Sequence, residues 1–373
     1  MSRQRLIALL VVALVVISVA LYVSTQRNAT REVQGLPLLP SLAGELNTVT
    51  SLSVLKGAAT PAVTIHKQGE QWTVAERADY PADVPKLRKL LLALGDAKIR
   101  EEKTSDPANY SIIGVEDPTK PGATGAQIEL VAKQGKQDVI VGKPAEQGSF
   151  VRRVGEKSSY IVEPAISFEA EPRYWIDTRL LDIAADKIQS IQFKPDTGPG
   201  YTLRRVTETP LKPDEDKKNT AKAETTAPPA PASSKFVLEG VPSGRQAADA
   251  NALAPSPSTF SNLNDDDVAP VGNVDFSKPS TVTLALSDGG TITLTGAAVG
   301  EKRWIQVAAP KDAALSAKAN GRAFEIASYR YDQIFKPLEQ LLVPKPAPSA
   351  KPAAPGAKAG PPNMKKPAAS PKP

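Results

Sequence analysis

Apolar and polar residues alternate with a period of two along most of this chain, which is the pattern of half-buried strands. The segment TSLSVLK (Thr50–Lys56) predicts a strand, and AVTIHKQGEQWTV (Ala62–Val74) predicts a hairpin around its polar centre. The period then changes. In DVPKLRKLLLALGDAKI, Asp83 suits an N-cap and Pro85 a first turn. Val84, Leu87, Leu91 and Leu94 recur at helical spacing, and Gly95 suits a stop. Strand alternation returns in GAQIELVAKQGKQDVIVG (Gly125–Gly142), SFVRRV and KSSYIVEP, and the series closes on ISFEAEPRYWIDTRLLDI.

A second series follows in the same order. QSIQFKP (Gln189–Pro195), GYTLRRVTE (Gly200–Glu208) and KFVLEGV (Lys235–Val241) predict three strands. PSPSTFSNLNDDDVAP (Pro255–Pro270) stands where the helix should be, keeping Phe260 and Leu263 among poor helix formers, so at most a short helix is expected. STVTLALSDGGTITLTG (Ser280–Gly296), RWIQVA and GRAFEIAS then resume strands, before SYRYDQIFKPLEQLL. This order predicts an internal repeat in which Trp72 corresponds to Phe236. The expected class is α+β: two tandem units, each of about 130 residues of mostly antiparallel sheet with a packed helix.

Two stretches carry neither period. KPDEDKKNTAKAETTAPPAPASSK (Lys212–Lys235) has no apolar residue larger than Ala, and residues 344–373 hold ten prolines; both are expected to be disordered. At the other end, the 18 residues from Leu6 to Val23 carry no charge, with Arg3 and Arg5 before them and Arg27 and Arg31 after. As a helix they would reach roughly 27 Å, enough to cross a bilayer. Small residues at Ser18-Val19-Ala20 offer a signal-cleavage alternative, but they lie inside the apolar run, which favours a retained anchor. The expected organisation is residues 1–5 cytoplasmic, 6–23 a transmembrane helix, 24–44 a linker, 45–183 the first unit, 184–343 the second with its insert at 212–235, and 344–373 a tail.

Charge and composition narrow the chemistry. The net charge is +6, yet residues 344–373 alone carry six lysines and no acid, so the rest of the chain sums to zero. A neutral body does not predict a nucleic-acid surface. Without cysteine there is neither a disulfide framework nor a thiol nucleophile. His66, the single histidine, falls on the outward face of an alternating strand, and one histidine without cysteine excludes the usual triads and zinc sites. Asp265, Asp266 and Asp267 lack the spacing and glycine of a calcium loop and are expected in a solvated loop. Glu101, Glu102 and Asp106 are expected in a charged loop after the helix, and TGAAVGEKR lacks the ending of a phosphate-binding loop. No cofactor and no metal are expected. Tyr174 and Trp175 are the candidate partner-docking residues; the competing expectation, favoured by their size, is an aromatic anchor closing the first unit onto its sheet.

The hairpin with QWTV, the helix LRKLLLALGDAKIREE, the stretch YSIIGVEDP (Tyr110–Pro118), the strand pair ending IVGK, and FVRRV, SYIV and YWIDTRLLDI together resemble the bacterial domain-of-unknown-function family 4340. In that family a tyrosine, a nearby glycine, an acid and a proline precede a strand, a form matched by Tyr110, Gly114, Glu116, Asp117 and Pro118. The resemblance extends over roughly residues 45–340 and departs at the insert, the weak second helix and the tail. It implies an envelope component, anchored in the inner membrane with its body in the periplasm, often beside ABC-type transport systems related to gliding-motility auxiliary proteins. The expected function is a non-enzymatic auxiliary or scaffold subunit of such an assembly, with protein partners at the inner membrane. A cell-wall binding module that uses the basic tail on anionic polymer is the alternative, and a carbohydrate-active enzyme working through two carboxylates a further one.

Overall fold

The computed structural model describes residues 11–21, 33–42, 44–207, 234–256 and 258–344. Residues 11–21 form a helix, α1, all of whose side chains are exposed. Among the described residues no helix is long and apolar enough to cross a membrane; the rest of the apolar run, at 6–10 and 22–23, lies outside them.

The first sheet holds nine strands. They are β1 (Ser51–Leu55), β2 (Val63–Gln68), β3 (Gln71–Val74), β4 (Tyr80–Pro81) and β5 (Lys98–Thr104), then β6 (Ala126–Ala132), β7 (Gly135–Pro144), β8 (Ser149–Arg153) and β9 (Ser159–Glu163). Their spatial order is β4-β3-β2-β1-β6-β7-β8-β9-β5, antiparallel throughout. Alternation sets the register, because a one-residue slip would turn every apolar side chain outward. Leu52 is paired with Ile65 on one side and Leu130 on the other, and all three are buried.

The chain continues through β10 (Arg179–Leu181), β11 (Ile188–Lys194), β12 (Tyr201–Thr207), β13 (Ser234–Glu239), β14 (Arg245–Ala247), β15 (Leu263–Asn264) and β16 (Asp267–Pro270). It ends with β17 (Ser280–Leu286), β18 (Thr291–Val299), β19 (Lys302–Ala308), β20 (Arg322–Ile326) and β21 (Leu342–Pro344). The second large sheet runs β13-β12-β11-β17-β18-β19-β20-β16, and two small pairs, β10-β15 and β14-β21, complete the structure. Apart from the short β4, the strand order of the first sheet follows the same path as that of the second. The molecule is therefore mostly antiparallel sheet with a few helices, and one continuous apolar core runs through both sheets.

The helix α2 spans Val84–Asp96, capped by the Asp83 carboxylate, which accepts from Lys86 N–H at 3.1 Å. Two details differ from the sequence expectation. Val84 is 40% exposed, because Leu87, Leu90, Leu91 and Leu94 form the face against the sheet. Gly95 lies inside the last turn instead of ending it: a Cβ there would press on the Leu46 side chain at 3.0 Å. Between the third strand of the second series and the segment Pro255–Pro270 there is a one-turn helix, α4 (Ala250–Leu253), and Pro255–Pro270 itself forms no helix among the described residues. The candidate insert at 212–235 falls outside the described residues except for its last two, which begin β13, and the tail from 345 onward falls wholly outside.

The stretch around Tyr110 makes a single turn, α3 (Tyr110–Ile113), ended by Gly114 in the left-handed region at φ 75°. The turn lies against bare backbone. A Cβ on Gly125 would collide with the Gly114 carbonyl oxygen, and one on Gly142 with the carbonyls of Ile113 and Gly114. Backbone cannot yield as a side chain can, so Gly142→Ala should destabilise the protein by about 2–3 kcal/mol. Urea unfolding of the variant against wild type measures this, and an unchanged midpoint would show that the turn is free to lift away.

Candidate docking surface

Four consecutive residues at the end of the β3-β4 connection reach across to the second sheet. Arg77 forms a two-pronged ion pair with Asp267, with Nη2 to Oδ2 at 3.2 Å and Nε to Oδ1 shorter still. Ala78 and Asp79, both in the left-handed region at φ 56° and 51°, offer their carbonyl oxygens to Arg322. Tyr80 donates its hydroxyl to Asp265 Oδ2 at 3.0 Å and packs edge-on against Phe324, with ring centres 5.7 Å apart. Arg322 turns its remaining nitrogen to the Ala317 and Lys318 carbonyls, at the end of helix α5 (Ala313–Ala319).

Burial decides the charge state here. Asp265 is buried, with Oδ1 unpartnered among the described residues, and burial pushes its carboxyl up to about 8 against the weaker opposing pull of the Tyr80 hydroxyl and of Lys318. Burial and the neighbouring Asp265 raise the Tyr80 phenol far above its ordinary value. Burial also works to raise Asp177, but Lys318, at 3.3 Å, and Arg179 outweigh it and leave that carboxyl below the usual range. The acidic triplet is thus not the solvated loop expected: Asp266 is exposed, while Asp265, just after β15, and Asp267, which opens β16, face the first sheet. Among the described residues no group of acidic or histidine side chains is arranged to hold a metal.

The other candidates are scattered. His66 is half-buried on β2, with Nε2 3.3 Å from Asp79 Oδ1 and 2.8 Å from Gln68 Nε2. Glu101 and Glu102 lie on the edge strand β5, not in a loop, and Asp106 caps the short turn Pro107–Asn109 through Ala108 N–H. The pair Tyr174-Trp175 divides. Trp175 is 1% exposed, its Nε1 donates to the Glu169 carbonyl at 2.8 Å, and its own carbonyl accepts from Asp83 N–H at 2.7 Å, so it closes the first sheet against α2. Tyr174 stays 41% exposed with the Lys86 ammonium 4.6 Å above its ring. Alongside runs a cleft of about 810 Å³ between Trp72, Pro81, Val84, Pro85 and the segment Asp177–Arg179. An exposed aromatic beside a cleft of mixed polarity that contains Trp72 is the kind of surface that docks a protein. Trp72, given the same core role as Phe236 by the repeat, is only half-buried and lines this cleft, whereas Phe236 is buried. Sequence reasoning overlooked the cleft because its walls come from β3, α2 and a segment a hundred residues away.

The model of a domain of unknown function, DUF4340, matches residues 72–230, and over that stretch the chain is similar to this family. The match begins at Trp72, takes in α2, the Tyr110 turn and Tyr174-Trp175, and is shorter than the 45–340 suggested by the order of elements. No curated protein and no solved structure matches the chain.

The Asp265 carboxyl gives the junction a pH signature. From the ordinary carboxylate range up to about 8, the unfolded chain has released this proton while the folded chain keeps it, so stability falls as pH rises through that window and then levels. Asp265→Asn removes this component. Its melting temperature should therefore gain on wild type steadily from pH 5 to pH 8, and parallel curves would mean that Asp265 is ionised in the fold.

Proposed function

We propose that this chain, with its DUF4340 region at residues 72–230, is a non-enzymatic auxiliary subunit of an ABC-type transport assembly, anchored in the inner membrane with its body in the periplasm. The observation that carries the reading is α1. All eleven of its described residues are exposed, with Val11, Val12, Leu14, Val15, Val16, Ile17, Val19 and Leu21 each more than half open to solvent. An apolar surface of that kind on a soluble body would be a liability, and lipid is the covering that the uncharged run from Leu6 to Val23 fits. The anchor is retained in this reading, and the two large sheets are two copies of one unit.

A scaffolding role suits the remainder. The buried acid with a raised pKa, Asp265, is closed off inside the junction and bonded to a tyrosine, and it lines none of the clefts described. The exposed surface offers instead Tyr174 and the cleft beside it, a face for a permease or companion anchor protein.

Crosslinking of the full-length protein in native membranes, followed by capture and mass spectrometry, tests the assignment. The protein should resist extraction by alkaline carbonate and bring down a transport permease or a companion anchored protein. Tyr174→Ala should reduce that recovery several-fold with an unchanged melting temperature. Release by carbonate would remove the anchor, and repeated capture without any transport component would remove the transport link.

A further inference from the structure

A second cleft, of about 470 Å³, lies between α2 and the β2-β3 hairpin and is closed at one end by the turn Leu46–Thr48. Its floor and walls are Leu46, Trp72, Val84, Leu87, Leu91 and Leu92. Leu92 is 46% exposed and Val84 40%, and both are spread along α2 over about 12 Å at 1.5 Å per residue. Gly44, Asn47 and Val49 complete the lining, so this is a trough of mixed polarity with an apolar wall along α2, within the size range of ligand pockets.

Two cations stand on it, Lys67 and Arg88, and no acid lines it. Among the described residues neither cation has a carboxylate within ion-pair distance. The reason is local. The helix neighbours of Arg88 at three and four residues are Val84, Pro85, Leu91 and Leu92, and the cross-strand partner of Lys67 is Trp72. The other clefts are charged differently. The 810 Å³ cleft sets Glu70, Asp83 and Asp177 against Arg179 alone, and one of about 490 Å³ beside Tyr201 and Phe260 balances Asp332 with Lys336. Among these clefts, apolar length and unneutralised positive charge coincide only beside α2.

We infer that the α2 cleft binds a single-chain amphiphilic anion: an acyl chain lies along Val84, Leu87, Leu91 and Leu92, and its acidic head meets Lys67 and Arg88. An opening of this volume has room for one chain, and the two lining cations favour a carboxylate or phosphate over a neutral head. The site stands without the transport reading and would hold whatever the body docks.

The test is photo-crosslinking of the full-length protein in phosphatidylcholine nanodiscs, with a diazirine-bearing palmitate as probe and the matching diazirine-bearing hexadecanol as neutral control. Adducts are expected on peptides containing residues 84–92, displaced by unlabelled palmitate and at least fivefold fewer with the alcohol. Lys67→Glu with Arg88→Glu should reduce palmitate labelling at least fivefold. Both side chains are exposed, so the melting temperature should hold and report that the fold is intact. Adducts confined to residues 11–21, the sign of bilayer partition alone, would overturn the inference. So would equal labelling by acid and alcohol, or a double variant that labels like wild type.

Discussion

The molecule depends on how Arg77, Ala78, Asp79 and Tyr80 are held. Two of them, Ala78 and Asp79, adopt a left-handed backbone that costs about 1 kcal/mol or more each without glycine. What sustains it comes from the other sheet. Arg322 gives two bonds to the Ala78 carbonyl, at 3.0 and 2.8 Å, and one to Asp79 at 3.2 Å, while the same guanidinium finishes the C-terminal end of α5. Arginine is suited to this because its donors form a rigid fork and stay charged when half-buried. The flanking residues complete the seam, with Arg77 paired to Asp267 and Tyr80 bonded to Asp265.

That seam also resolves a problem that antiparallel sheets create for themselves. Strand β16 is an edge, with unpaired backbone groups that invite association. Its Asp267 faces Arg77, so this edge is turned into the molecule. At the far side of the first sheet, part of β5 is covered by the segment Gly35–Leu38, and its remainder carries Arg100, Glu101, Glu102 and Lys103, which discourage a further strand. Chain connectivity reinforces the join: β10, at the end of the first series, pairs with β15 of the second.

Much of this was legible in the sequence where the information is local. Alternation located the β2-β3 hairpin and the β6-β7 and β17-β18 pairs, and the Asp83 cap located α2. The seam was not legible, because its partners lie 185 to 244 residues apart. Three adjacent aspartates read as a solvated loop on composition alone; only the approach of Tyr80 and Arg77 makes two of them interior. Val84 illustrates the opposite failure. It has the spacing of a core position, but nothing packs over it, since the helix turns Leu90 inward instead.

The two sheets follow one path yet finish the same feature differently. In the second, Arg205 stands opposite Phe236, covers its ring at 4.7 Å, and spends its nitrogens on the carbonyls of Ile188 and Ala185 at 2.7 and 2.5 Å. The aromatic is buried and the cation is satisfied, which makes a structural plug. In the first, Lys67 stands opposite Trp72 at the corresponding place, but the ring is half-open and the ammonium has no carboxylate partner among the described residues. A full α2 occupies the space beside it, where the second sheet has only the four residues of α4. The helix holds the wall away from the hairpin and so converts a plug into a trough. Asymmetry of this kind separates the sheets: the second supplies the clamp for residues 77–80, and the first carries the trough beside α2.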